Sequence, residues 1–133
     1  MTDMSQPPVS PIGQPLLRRE DQRFLTGSGQ YTDDVVLPHQ SFGFFLRSPY
    51  AHARIKSIDL APALALPGVF AAVTGQDFKI PYGIIPWTQD ENALAVDKVC
   101  HVGDGVVAVA AIDEDTANAA CKAIRIEYEV LRA

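Results

Sequence analysis

Apolar residues recur at every second position in Ser41–Arg47 and again in Ile124–Val130, the period of a strand with one side against a core. In the first stretch Phe42, Phe44 and Leu46 share a face while Phe45 lies on the other, so both faces are expected to be partly covered. His52–Leu60 also alternates, with Ala53 and Ile55 on one side, but the next apolar pair is Ile58 and Leu60. That change of parity needs one extra residue near Lys56–Ser57 and predicts a β-bulge. A turn or short helix through Pro62, ended by Pro67-Gly68, leads into a strand at Val69–Val73. Val106–Ile112 is a continuous apolar run, as expected of a strand covered on both faces. Asp113 then caps a helix whose first turn holds Glu114 and Asp115. Ala117, Ala120, Cys121 and Ile124 form one narrow face of small residues that lets this helix sit close to a sheet. Strand, helix and strand over Val106–Val130 permit a βαβ unit, right-handed if its strands are parallel. The expected fold class is mixed α+β.

Two regions depart from this pattern. Residues 1–15 carry Pro7, Pro8, Pro11 and Pro15 among small polar residues and read as an extended arm, leaving 16–133 as the folded domain. Within it, Leu16–Leu25 reads as a short helix capped by a left-handed Gly27, and Gln30–Asp33 as a short strand. In Lys79–Asp97, Pro81, Gly83 and Pro86 break regular structure, yet Tyr82, Ile84, Ile85 and Trp87 make the segment too apolar for comfortable disorder. A loop of this length is usually functional, and its apolar side chains are expected to bury against something.

The 133 residues suffice for one domain, and 17 of them are alanine, which keeps the core modest. Eleven basic against 16 acidic residues give a net charge of −5, with no basic cluster longer than Arg18-Arg19. Nucleic acid is therefore not expected as a partner, since phosphate neutralisation needs clustered Lys and Arg. No apolar run approaches the ~20 residues of a membrane span. MTDMSQPPVS has neither a basic nor an apolar leader region, so a cytoplasmic chain is expected. Cys100 and Cys121 fit no CxxC motif and read as two buried thiols in a reducing compartment.

The search for catalytic groups yields little. His39, His52 and His101 stand in no metal or protease spacing. His52 suits a hydrogen-bonding role on a sheet face. If Cys100 and His101 are consecutive strand residues, they point to opposite faces and cannot form a thiol–base pair. No G-x-S-x-G elbow is present, TGSGQ lacks the features of a phosphate loop, and Gly103-Asp104-Gly105 reads as a turn. Asp33-Asp34 reads as a solvated turn. No catalytic, cofactor-binding or metal residue is assigned, which disfavours a small independent hydrolase.

Three segments together do resemble a known family. Arg47–Phe78, RSPYAHARIKSIDLAPALALPGVFAAVTGQDF, resembles the N-terminal hammerhead domain of the molybdopterin-binding large subunit in the xanthine oxidase, aldehyde oxidase and carbon monoxide dehydrogenase family. Gly27–Pro38, GSGQYTDDVVLP, is similar to that domain's first strand and turn. Leu94–Leu131 is similar to its end, including the Val-Gly turn, the apolar strand and the closing E-Y-E-x-L. Gly105 departs from the family, which usually has proline or another residue there.

The resemblance implies an α/β-hammerhead domain with a C-terminal strand–helix–strand unit. It also implies a non-catalytic, separately encoded part of the large subunit in a molybdenum hydroxylase or dehydrogenase. Molybdopterin with its molybdenum, the [2Fe–2S] clusters and FAD would then sit on partner subunits, and the isolated chain would be inactive. The same resemblance implies that the loop before the last strand–helix–strand stretch lines the substrate funnel. Counting back without gaps from Val102-Gly103 places that position at Trp87 and Thr88, with Ile84 and Ile85 nearby. The alternative is a stand-alone interaction module derived from the same domain, in which Trp87 simply packs.

Overall fold

A computed structural model describes residues 12–78, 80–85 and 87–132. Most of the expected extended arm, including Pro7, Pro8 and Pro11, lies outside the described residues, as do Lys79, Pro86 and Ala133. Two compact units divide between Pro38 and His39, and each is taken by itself.

In the first unit, helix α1 spans Asp21–Leu25, half of the expected Leu16–Leu25. None of its residues is buried and its N-cap residue, Glu20, makes no side-chain cap. With Phe24 stacked only on Tyr31 at 5.2 Å and no cap, so short a helix has little to extend it. Gly27 takes the expected left-handed conformation, φ 74°. The strand expected at Gln30–Asp33 is instead a 3-10 turn over Thr32–Asp34. The Asp34 carboxylate accepts the Tyr31 N–H at 2.9 Å, so a local side-chain bond replaces a ladder bond.

The second unit holds two three-stranded antiparallel sheets. One is ordered β1 (Phe42–Arg47), β5 (Gly105–Ala111), β3 (Val69–Thr74), and the other β4 (Lys98–Val99), β2 (Ala53–Asp59), β6 (Arg125–Val130). Helices α2 (Ala61–Leu64) and α3 (Glu114–Ala123) complete the unit. The succession β5–α3–β6 is as expected, but it is not a parallel βαβ unit. Both edges of β5 are already taken by β1 and β3, so the chain leaving α3 pairs with β2 in the other sheet.

Strand β2 carries the expected β-bulge. Ile55 faces Tyr128 and Ser57 faces Glu127, leaving Lys56 as the extra residue of a bulge. Ile55 and Ile58 thereby both turn toward the core with Tyr128 and Ile126. The opposite face of this sheet is charged: Glu129 pairs with Arg54 at 3.4 Å and Lys56 at 3.0 Å. At α3 the Asp113 carboxylate accepts the Thr116 N–H at 2.7 Å, and Ala117, Ala120 and Cys121 are buried, as their spacing predicts.

The larger sheet differs in one respect that matters for function. Its inner face sets Phe44 and Leu46 beside Val109 and Val107, in the core with Ala120 and Cys121 of α3. Its outer face carries Gly43, Phe45, Ala71, Val73, Ala108 and Ala110, with one charge at its end, Arg47, whose guanidinium lies 5.7 Å over the Phe45 ring. The apolar run of β5 predicts cover on both sides. Val107 and Val109 are buried on the inner face, while Ala108 and Ala110 on the outer face are only half-buried and Phe45 is 50% exposed.

Candidate functional site

The segment between β3 and β4 has an anchored base and a projecting tip. At the base, the Thr74 N–H donates to Asp77 Oδ2 at 2.7 Å, closing a 3-10 turn over Gly75–Asp77. Gly75 is pressed against the returning chain: a Cβ there would overlap the Ala95 carbonyl and stand 2.8 Å from the Leu94 oxygen. Leu94 and Ala95 are buried, and the Ala95 N–H donates to the Gly105 carbonyl at 2.8 Å. These contacts tie the segment's return to the first residue of β5.

Beyond the base, Tyr82 and Glu91 exchange two backbone hydrogen bonds, each 2.9 Å, forming an isolated antiparallel bridge. Inside it the Thr88 N–H donates to the Ile85 carbonyl at 3.1 Å. Gly83 lies so close that a Cβ would stand 2.9 Å from the Thr88 carbonyl oxygen and 3.2 Å from Gln89 Cα. At the tip, Ile84 is 92% and Trp87 84% exposed, Thr88 is exposed, and Ile85 is half exposed. All four predicted site residues therefore fall within one closed loop. The apolar side chains expected to bury there do not bury within this chain.

Beside the loop's return lies a cleft of about 720 Å³ bordered by Arg54, Asp90, Glu91, Lys98, His101 and Asp104. Asp104 organises the turn on its far side. Its carboxylate accepts the Cys100 N–H at 3.0 Å and lies 3.8 Å from His101 Nδ1. Cys100 is exposed rather than buried as expected, because β4 ends at Val99 and Cys100 and His101 belong to this turn instead of a strand. Cys121 is buried as expected, and burial pushes its thiol pKa up. Sequence reasoning read Asp104 as part of a plain turn. The D–G pair after a glycine was the available signal. Gly83 reads from the sequence only as a breaker and Gly75 carries no signal, because their close approaches come from distant or looped-back backbone that local patterning does not encode.

The remaining candidates are structural. His52 Nδ1 is 2.7 Å from the Arg132 carbonyl, the hydrogen-bonding role expected of it. Tyr128 packs edge-on to Tyr50 at 5.2 Å, and burial pushes its phenol pKa up. Among the described residues, no three His, Cys, Asp or Glu side chains gather in a way that could hold a metal ion.

The comparisons with known proteins agree with this architecture. Residues 26–132 match the family model described as the aldehyde oxidase and xanthine dehydrogenase a/b hammerhead domain. The chain is 44% identical over 117 residues to the carbon monoxide dehydrogenase large chain of Afipia carboxidovorans, covering 86% of this chain and 14% of that one. It is 40% identical over 132 residues to subunit gamma of the 6-hydroxypseudooxynicotine dehydrogenase complex of Paenarthrobacter nicotinovorans, covering 90% and 17%. Among solved structures, quinoline 2-oxidoreductase from Pseudomonas putida 86 superposes with a TM-score of 0.80 at 42% identity, covering 89% of this chain and 16% of that one. The chain thus spans about one sixth or less of the length of these relatives. The matched sequence and the shared fold place this chain in the aldehyde oxidase and xanthine dehydrogenase family, whose members include molybdenum hydroxylases, as its α/β-hammerhead domain.

Proposed function

We propose that this chain is the non-catalytic hammerhead portion of the large subunit of a molybdenum hydroxylase or dehydrogenase. In this reading a separate molybdopterin-binding polypeptide completes the large subunit, and partner subunits carry the [2Fe–2S] clusters and FAD. Among the described residues no cluster of His, Cys, Asp or Glu could hold a metal ion, and this reading routes no chemical step through them. Its work is architectural: it completes a fold and borders the substrate entrance.

One observation carries the reading. An anchored loop thrusts Ile84 and Trp87 out of the chain, 92% and 84% exposed. Exposed apolar side chains of this size on an ordered loop mark a docking or ligand-facing surface. The outer face of the larger sheet, apolar apart from Arg47 at its end, adds a second exposed apolar surface, whereas the smaller sheet carries ion pairs on its corresponding face. Interfaces of obligate assemblies resemble a core cut in half, and these surfaces have that composition. The entrance role falls to Trp87 and Thr88, with Ile84 and Ile85 beside them.

The test is Trp87→Ala in the assembled enzyme. Trp87 makes no core contact, so the variant chain is expected to keep the parent's melting temperature. KM is expected to rise several-fold or substrate preference to change. A loss of stability with unchanged kinetics contradicts the entrance role.

A further inference from the structure

We infer that Gly83 is the positioning residue for Trp87, because only its missing Cβ lets the loop close on the Thr88 carbonyl and present the indole from a preformed turn. The inference deepens the entrance reading above and rests on it for its catalytic meaning.

The geometry is specific. The Tyr82–Glu91 bridge closes a ring of backbone with two 2.9 Å hydrogen bonds, and Trp87 stands inside that ring. A methyl group on Gly83 would stand 2.9 Å from Thr88 O and 3.2 Å from Gln89 Cα, both backbone atoms that cannot swing aside as a side-chain tip can. One side of the loop must then move away from the other, taking Trp87 with it. The three atoms nearest such a methyl belong to Thr88, Gln89 and Glu91, none of them in the base where Gly75 lies against Ala95. A closed loop also lowers the ordering cost when its tip meets a partner or substrate, because the backbone has fewer states to lose.

The chain contains a single tryptophan, so its fluorescence reports on this position alone. The experiment measures time-resolved anisotropy of Trp87 in the full chain for the parent, Gly83→Ala and Glu91→Pro. Glu91→Pro deletes the N–H that donates to the Tyr82 carbonyl. Gly43→Ala serves as the control, since a Cβ there meets only the Val109 oxygen at an ordinary 4.0 Å. The parent and the control should show a slow component matching whole-chain tumbling. Both loop variants should lose much of that component to fast local motion while keeping the parent's circular dichroism and melting temperature. In the reassembled enzyme, both should raise KM several-fold with little change in kcat. Parent-like anisotropy in both variants overturns the inference, as does a parent already as mobile as an isolated peptide spanning residues 80–92. Lost anisotropy with an unchanged KM supports the positioning role and overturns the entrance reading, so the two fail separately.

Discussion

At Asp113 a single carboxylate closes the first turn of α3, and its hydrogen bonds to Thr116 hold its pKa below the ordinary carboxylate value. Glu129 is held low in the same direction, by Lys56 first and by Arg54. A carboxyl group lowered on folding contributes stability that is fully present above its unfolded pKa. That contribution fades as pH falls through the folded value, so the loss begins near the ordinary carboxylate range, below about pH 4. Asn caps helices about as well as Asp but does not titrate. Asp113→Asn should therefore melt near the parent at neutral pH and lose less on acidification, while Asp113→Ala should melt lower at neutral pH. Parallel acid limbs for the parent and Asp113→Asn in thermal melts would contradict the assignment. Gly75 offers a sharper test at the same scale. Gly75→Ala must push apart two backbone segments and is expected to cost about 1–3 kcal/mol in urea unfolding, the usual range for overpacking. Gly43→Ala should cost far less.

Among the elements, strand β2 shows how far the sequence can be read and where reading stops. Deleting Lys56 leaves Ile55, Ser57 and Ile58 in simple alternation, so the apolar residues keep their face and the fold should survive with a small loss. Deleting Glu127 shifts β6 by one residue and turns either Ile126 or Tyr128 outward, which should unfold the sheet. Circular dichroism melts of the two deletions distinguish them. The bulge was legible because parity is a local property of Ala53–Leu60. The Asp113 cap and the small-residue face of α3 were legible for the same reason. What stayed hidden depends on distant partners. Nothing within Val106–Val130 says that β1 and β3 occupy both edges of β5, so the partner of β6 could not be read. The 3-10 turn at Thr32–Asp34 was missed because Asp34 competes for the Tyr31 N–H more effectively than a strand neighbour does. The exposure of Cys100 followed from the early end of β4, which only the Asp104 contact to its N–H reveals. At the candidate site, the loop and its apolar tip were evident, whereas the glycine contacts that shape it were not.

For the whole molecule, the two sheets divide the work. The smaller one presents ion pairs to water, and the larger one presents alanine, valine, glycine and phenylalanine on its outer face, with Arg47 over Phe45 at its end. A chain built this way should be less well behaved alone than with its partners. Because Trp87 is 84% exposed, the free chain should emit as a solvated indole, and assembly should shift that emission to the blue and protect it from acrylamide quenching. An emission spectrum and quenching constant unchanged by the molybdenum-binding partner would place Trp87 outside the interface and the entrance. The central claim is that the reactive metal resides on another polypeptide and that this chain supplies form. Its most direct test is to dissociate the purified complex, assay molybdenum and pterin on each separated chain, and then recombine them. Both groups are expected on the partner and none on this chain, with turnover restored only by recombination. Stoichiometric pterin on this chain alone, or unaided oxidation of an aldehyde or heterocycle by it, would contradict the account.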